Sequence, residues 1–382
     1  MSATILVSAG DPSGEMHAAR LVAELQERTG AAFFGLGGRH MAEAGVELVA
    51  DLSAVSVVGI TEVIRRLPAV WRLYRRLVAE SARRQPQLAI LVDFPEFNLR
   101  LARRLHRQGV RAVYFISPQV WAWRRGRVEL MKRLVERVLC IFPFEENFYR
   151  QAGVPATYVG HPLVDLVRPR QTRAEFLARH ALPADQPVVA LLPGSRPSEV
   201  EHNLPPMLAA LPLLRRHGPY QFVLAGAPGL SRRLFKPALQ CGAPVKVVYD
   251  STYDALVAAE CAIISSGTAT VEAALLGTPM VVVYRLSPAT AFLARRLVRT
   301  PYFSMVNLIA ERRIVPELFQ NEFTGTAVAR EAHRLLASTE ARAQMLSDLA
   351  EVRRRLGAGG AIERAAEIIA GLLAPVHATP SR

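Results

Sequence analysis

The stretch Ile263-Ile264-Ser265-Ser266-Gly267-Thr268-Ala269-Thr270-Val271-Glu272 carries the strongest local chemistry in the chain. An apolar strand pattern ends at Ser265, and small polar residues lead directly into a helical pattern. Backbone N–H groups at a helix start, with the positive end of its dipole, suit a phosphate. Ser266, Gly267, Thr268, Ala269 and Thr270 are therefore candidate phosphate contacts. Glu272 falls about one turn further on, where a carboxylate can accept from ribose hydroxyls. The plainer alternative is an ordinary cap, with Ser266 or Thr268 closing the helix and Glu272 favouring its dipole.

A second turn, Pro193-Gly194-Ser195-Arg196, also follows an apolar run. Gly194 and Ser195 permit close approach of a polar ligand, and Arg196 can fork onto a diphosphate. Its plain alternative is a tight turn in which Arg196 pairs with Glu199. In the first half, Ser13 and Gly14 of Gly10-Asp11-Pro12-Ser13-Gly14-Glu15 can face a sugar or its phosphate, or simply begin a helix. This is neither a G-x-G-x-x-G fingerprint nor a Walker loop. Asp93, in Val92-Asp93-Phe94-Pro95-Glu96-Phe97-Asn98, stands just past a buried run. Desolvation there can raise a carboxylate towards the range of a general base, or Asp93 can cap the next helix. Trp121 and Trp123 can stack on a sugar or fill a core. His161 has no metal partner at ligand spacing and fits a hinge or cap.

These turns need rigid elements to position them. Short apolar runs alternate with helical patterns along the whole chain, the signature of repeated βα units and parallel sheets. Thr4–Ser8, Ala32–Gly35, Leu88–Val92 and Ala112–Ile116 read as strands of the first half. Asp11–Arg28, Leu99–Gly109 and Arg125–Val138 read as its helices. Val188–Leu192, Gln221–Ala225, Val245–Val248, Cys261–Ser265 and Met280–Tyr284 read as strands of the second half. The pattern weakens around Gly160–Pro187, which marks a domain junction. The expected fold is α/β, with two Rossmann-like doubly wound domains facing each other across a cleft. The expected ranges are 1–165, 166–345 and a C-terminal helical segment 346–382 that packs back on the first domain.

Composition bounds the possibilities. A chain of 382 residues, 51% apolar and 21% charged, suits a two-domain globular protein. No apolar run approaches the ~20 residues of a membrane-spanning helix, and the N-terminus does not read as a secretion signal. Cys140, Cys241 and Cys261 have neither metal spacing nor a disulfide framework. The formal charge of +14 is uneven: residues 60–137 hold 18 Arg and Lys against 6 Asp and Glu, a net +12. That field attracts nucleic acid, anionic lipid or phosphorylated substrate. Within Thr61–Arg84, Pro68 is expected to separate two helices. Ile64, Leu67, Val70, Trp71, Tyr74 and Leu77 form an apolar face opposite arginines, suited to a bilayer interface or to packing on the sheet.

Taken together, these strings resemble the lipid A disaccharide synthase family over nearly the whole chain. The resemblance rests on the Ala9–Gly14 turn, Asp93–Asn98, Ser117-Pro118-Gln119-Val120-Trp121-Ala122-Trp123 and Val159-Gly160-His161-Pro162-Leu163. It extends to Pro193–Arg196, Ser266–Thr270 and Val306-Asn307-Leu308. One departure is that Asp11 and Glu15 stand in the opposite length order to the family pattern.

The resemblance implies a GT-B fold and an inverting transfer of 2,3-diacylglucosamine from its UDP derivative to the 6-hydroxyl of 2,3-diacylglucosamine 1-phosphate. It implies Asp93 as base, Arg196 and Asn307 as donor-binding residues and Glu272 as the ribose ligand. Without an Asp-x-Asp pair, no metal or other cofactor is expected. An anionic membrane surface is the expected partner, nucleic acid is not, and a homodimer is left open. The location implied is cytoplasmic, peripheral to the inner membrane of a Gram-negative-type bacterium. A UDP-sugar epimerase on the same fold, and a basic nucleic-acid-binding protein, are the alternatives.

Overall fold

Runs such as Leu88–Val92 and Val188–Leu192 are buried along their whole length, as strands of a parallel sheet covered on both faces must be. The computed structural model describes residues 3–51, 60–118, 126–287 and 301–373, without the side chains of residues 12 and 60–67. Gln119, Val120, Trp121, Ala122 and Trp123 lie outside the described residues, as do the side chains of Ile64 and Leu67. The chain divides into Met1–Pro162 with Ala358–Arg382, and Leu163–Gly357. The expected boundary after 345 falls inside the Thr339–Arg355 helix, and the division comes after Gly357.

The first unit is a seven-stranded sheet of β1 (Thr4–Ala9), β2 (Ala32–Gly37), β3 (Val46–Asp51), β4 (Leu88–Val92), β5 (Arg111–Phe115), β6 (Arg137–Cys140) and β7 (Ala156–Tyr158). Its spatial order is 3-2-1-4-5-6-7, and all pairs are parallel. The Ala361–Leu373 helix packs on the Pro12–Thr29 helix of this unit. Arg111 Nη2 donates to the Leu372 carbonyl at 2.7 Å, and Arg364 Nε to that of Val159 at 2.8 Å.

The second unit repeats the plan with β8 (Val188–Leu192), β9 (Gln221–Gly226), β10 (Val245–Tyr249), β11 (Cys261–Ser265), β12 (Met280–Tyr284) and β13 (Glu317–Phe319). Their order is 10-9-8-11-12-13, again parallel throughout. In each unit the strand order reverses once, at β1/β4 and at β8/β11. A doubly wound sheet binds ligands beyond the carboxyl ends of the strands at such a switch point.

Four expectations change. The helix expected over Arg125–Val138 stops at Leu134, and Arg137–Cys140 forms β6, because so short an apolar run carries no decisive period. The helix expected from Leu99 begins at Pro95, whose ring suits a first helical position. Pro68 does not separate two helices: Ile60–Arg84 is one helix with Pro68 inside it. Leu77, expected on a membrane-facing surface, is fully buried in the core, with Val70, Tyr74 and Val78 packed against that core.

Asn203, on the Pro197–Arg215 helix, ties the second sheet together at its switch point. Its Nδ2 donates to the Pro193 carbonyl at 2.9 Å and to Ser265 Oγ at 3.0 Å, and its Oδ1 accepts from Arg285 N at 2.9 Å. Asn203→Ala leaves those three groups without their partner in a buried place. It is expected to lower the stability of the second unit by about 2–4 kcal/mol. An unchanged urea midpoint would contradict the clamp.

Candidate functional site

In the first unit, β1 and β4 run in register, Ala9 opposite Val92, so the turns after them leave the sheet side by side. Asp93 and Phe94 both adopt left-handed backbone, at φ 44° and 47°, and Ile116 beyond β5 has φ 57°. Non-glycine residues in this region cost on the order of 1–3 kcal/mol each and persist only where neighbours fix them. Here the fixing groups are visible. Asn98 Nδ2 lies 2.8 Å from the Asp93 carbonyl, 3.1 Å from that of Val92 and 3.2 Å from that of Ser8, while its Oδ1 accepts from Ser8 Oγ at 2.7 Å. The Tyr114 hydroxyl donates to the Asp93 carbonyl at 2.5 Å. The Phe94 ring lies over Gly10, where a Cβ would meet it at 2.0 Å; only glycine fits.

Asp93 is therefore held by its backbone. Burial, and secondarily the negative charge of Asp11, push its carboxyl up to about 6, partly offset by a hydrogen bond from the Phe94 backbone. A carboxylate with that value suits general-base chemistry near neutral pH. Ser13 and Gly14, read as sugar or phosphate contacts, have a different use: their N–H groups donate to Asp11 Oδ2 at 3.1 and 3.0 Å, capping the Pro12–Thr29 helix. Glu15 is buried, accepting from Met41 N at 2.7 Å and facing His40 Nδ1 at 2.7 Å. His161 is buried, and desolvation with the neighbouring His17 lowers its pKa to about 3. It stands neutral at physiological pH.

In the second unit the two expected turns sit at the switch point but differ in state. Glu199 occupies the first: Ser195 N and Arg196 N donate to its Oε2 at 2.9 and 3.3 Å, and Arg196 Nη1 meets its Oε1 at 2.7 Å. Gly194, at φ 134°, carries no Cβ to obstruct Glu199. The guanidinium remains exposed, at 71%. The second turn is open. The Thr268–Leu276 helix begins after Gly267; among the described residues no side chain caps it, and a Cβ on Gly267 would meet nothing within 4 Å. Ser266 does not cap either; its hydroxyl donates to the Phe303 carbonyl at 2.8 Å. Thr270 N and Oγ1 both donate back to the Gly267 carbonyl, at 3.1 and 2.8 Å, so Thr268 and Ala269 are left to present the first-turn amides.

Glu272 accepts from the Tyr253 hydroxyl at 3.1 Å, and burial raises its pKa. Asn307 departs from the expected donor contact. It is fully buried, and its amide has all four hydrogen bonds made: Nδ2 to Val315 O and Glu317 Oε1, Oδ1 from Ile314 N and Val315 N. It ties the Met305–Ala310 helix to the chain entering β13, and the Phe303 carbonyl just before that helix in turn holds Ser266. Asn203 and Tyr253 were not singled out by sequence. The signal for Asn203 was a polar residue inside the buried stripe Val200, Leu204, Met207, Leu211; nothing marked Tyr253. Among the described residues no group of three or more His, Cys, Asp or Glu could hold a metal ion, and no helix is long and apolar enough to cross a membrane.

Two parallel-sheet α/β units in one chain, each with its polar turns at the switch point, define a GT-B protein. Solved structures with this arrangement cover nearly all of the chain. A calicheamicin glycosyltransferase superposes with TM-score 0.62 at 17% identity, over 98% of this chain and all of its own. The UDP-GlcNAc 2-epimerase of Neisseria meningitidis, bound to UDP-GlcNAc, gives 0.62 at 11%, over 97% of this chain and all of its own. At such identities the likeness concerns the fold alone. Sequence is decisive. The family described as lipid-A-disaccharide synthetase matches residues 5–370. The lipid-A-disaccharide synthase of Myxococcus xanthus is 46% identical over 97% of this chain and 98% of its own. That of Solibacter usitatus is 44% identical over 97% of each. The chain belongs to the lipid-A-disaccharide synthetase family and is a glycosyltransferase.

The Asp93 environment has a measurable cost to the fold. Its pKa stands at about 6 when folded, against an ordinary 3.8, so the native state holds the proton more tightly than the unfolded chain. The stability this confers is full below about pH 4 and is lost as pH rises through about 6. Asp93→Asn removes the buried charge and should stabilise the protein at pH 8 by roughly 2 kcal/mol, with solvent screening allowed for, and by little at pH 4. Thermal unfolding at the two pH values checks this; equal gains at both would contradict it.

Proposed function

We propose that this glycosyltransferase moves 2,3-diacylglucosamine from its UDP derivative to the 6-hydroxyl of 2,3-diacylglucosamine 1-phosphate. The products are a β-1,6-linked disaccharide 1-phosphate and UDP. The family match and the names of the relatives support the reaction, and the single structural observation that carries its chemistry is Asp93 on its strained turn, poised near neutrality. Asp93 takes the proton of the 6-hydroxyl as that oxygen attacks the anomeric carbon. The bond from that carbon to the diphosphate breaks on the opposite face, which inverts the configuration. The bonding pair leaves with UDP.

The second unit serves the leaving group. The uncapped start of the Thr268–Leu276 helix supplies amides and a positive dipole end, and Arg196 supplies a formal charge. Glu199 must yield those amides if the diphosphate takes them. Glu272, oriented by Tyr253, accepts from the ribose. In this reading the protein itself provides the charge stabilisation, and no metal is assigned a part. The epimerase alternative has only the shared fold in its favour, and the basic residues need no nucleic acid: both proposed substrates are anionic lipids.

Acylated substrates sit at a membrane surface, and a peripheral association with the inner membrane of a Gram-negative-type bacterium follows. Trp71 is the described apolar residue that fits. It is 55% exposed on the Ile60–Arg84 helix, stacked on Tyr74 at 5.2 Å, beside exposed Arg72, Arg75 and Arg76. An aromatic among arginines suits an anionic interface. Trp71→Ser should weaken binding to anionic vesicles several-fold with no loss of thermal stability, whereas Leu77→Ser should destabilise the core. Unchanged sedimentation of Trp71→Ser with vesicles would place the membrane contact elsewhere.

The base assignment is tested by Asp93→Asn, which should lower turnover by at least about a hundredfold and leave UDP affinity nearly unchanged by calorimetry. Wild-type turnover in that variant would refute the assignment. Glu272→Ala should weaken UDP binding, and an unaltered dissociation constant would refute the ribose role.

A further inference from the structure

The turn after β1 holds a carboxylate oxygen for which capping gives no reason. Asp11 caps its helix through Oδ2 alone. Its Oδ1 is buried and, among the described residues, has no hydrogen-bond partner. Gly14 reveals where that oxygen lies: a Cβ there would stand 2.6 Å from Asp11 Oδ1 and 3.5 Å from Val92 Cγ1. The spare oxygen and the end of β4 thus flank the same bare glycine, one residue before Asp93. The parallel register of β1 with β4 sets this approach, and the Phe94 ring over Gly10 closes the two turns on one another.

A cap does not require such an arrangement. Serine, threonine or asparagine caps a helix equally well and leaves no charge in the site. Asp11 adds a fixed negative charge beside Asp93, and a like charge favours the protonated form of its neighbour. The electrostatics agree, Asp11 being the second cause, after burial, of the raised Asp93 pKa.

We infer that Asp11 is a positioning residue for the transfer: its carboxylate, aimed past Gly14 at the end of β4, keeps Asp93 a stronger base than burial alone would make it. This rests on the reading of Asp93 as the base. The other titratable groups around Asp93, among the described residues, do not do this work. Tyr114 of β5 donates its hydroxyl to the Asp93 carbonyl. Glu96, on the Pro95–Arg107 helix, is bound by Arg127 of the Gly126–Leu134 helix at 2.6 Å. Glu15, the next acid on the Pro12–Thr29 helix, is turned to His40 and Met41.

The test is turnover of the full-length enzyme on both sugar lipids from pH 5 to 9, for the parent, Asp11→Asn, Asp11→Ser and Asp93→Asn. Both Asp11 variants retain a capping oxygen, so the helix start is preserved. The parent's acid limb should fall near about pH 6. In each Asp11 variant it should move down by about half to one unit, with a plateau lowered a few-fold because the base is weaker. A limb that stays in place in both Asp11 variants, whatever the plateau does, would reduce Asp11 to a helix cap and overturn the inference. Loss of turnover in Asp93→Asn alongside an unmoved limb would leave the base reading standing. Full turnover in Asp93→Asn would overturn both.

Discussion

A buried asparagine in each unit ties together the ends of the two neighbouring strands at which the sheet order reverses. Where the order of a doubly wound sheet reverses, the helices leave by opposite faces, and the polar strand ends between them have no neighbour to cover them. Asn98 joins Ser8 of β1 to Val92 and Asp93 after β4. Asn203 joins Pro193 after β8, Ser265 of β11 and Arg285 after β12. Each makes its hydrogen bonds in a site closed to water, so each fixes a geometry that packing alone would leave loose. The strained backbone at Asp93 is held by the first of these clamps.

Three of the four helix starts at the switch points show one device in three states; the fourth, that of the Pro95–Arg107 helix, follows Phe94 and has no side-chain cap among the described residues. Asp11 caps the first with its own carboxylate. Glu199 lies across the second, accepting from two amides and an arginine as an anionic ligand would. The third carries no cap among the described residues, none of which would meet a Cβ at Gly267. Electrostatics assigns them different work: a helix start already neutralised has little left for a phosphate, and an uncapped one retains its full field.

Most of the architecture was legible because buried parallel strands write themselves as short apolar runs ending in small residues. The runs that failed to show were the three-residue edge pieces β7 and β13, the edge strand β3, whose apolar run is broken by Glu47, and β6, which follows a helix so closely that it reads as its last turn. The site was legible as to place and less so as to role. Asp93, Arg196 and Glu272 stand at strand ends or helix starts, which spacing reveals. Whether an amide is open or already taken depends on a side chain three or four residues away finding it, as Glu199 does and as no residue does at Thr268. Asn307 shows the limit most clearly. Its motif marks it as important, yet its amide is fully engaged in tying the Met305–Ala310 helix to the chain entering β13, and only coordinates distinguish a residue that holds a ligand from one that holds the chain. Leu77 makes the same point for the amphipathic helix: of its described apolar side chains, Val70, Tyr74, Leu77 and Val78 serve the core, and Trp71 is exposed.

In the proposed reaction a sugar lipid passes with inversion from a UDP carrier to a second sugar lipid. The most direct measurement follows both substrates with the purified enzyme, counting UDP released and reading the mass and anomeric coupling of the product. The account predicts one UDP for each β-linked disaccharide, and no conversion of the UDP-sugar when the acceptor is withheld. Conversion of the UDP-sugar without acceptor, or an α-linked product, would contradict it.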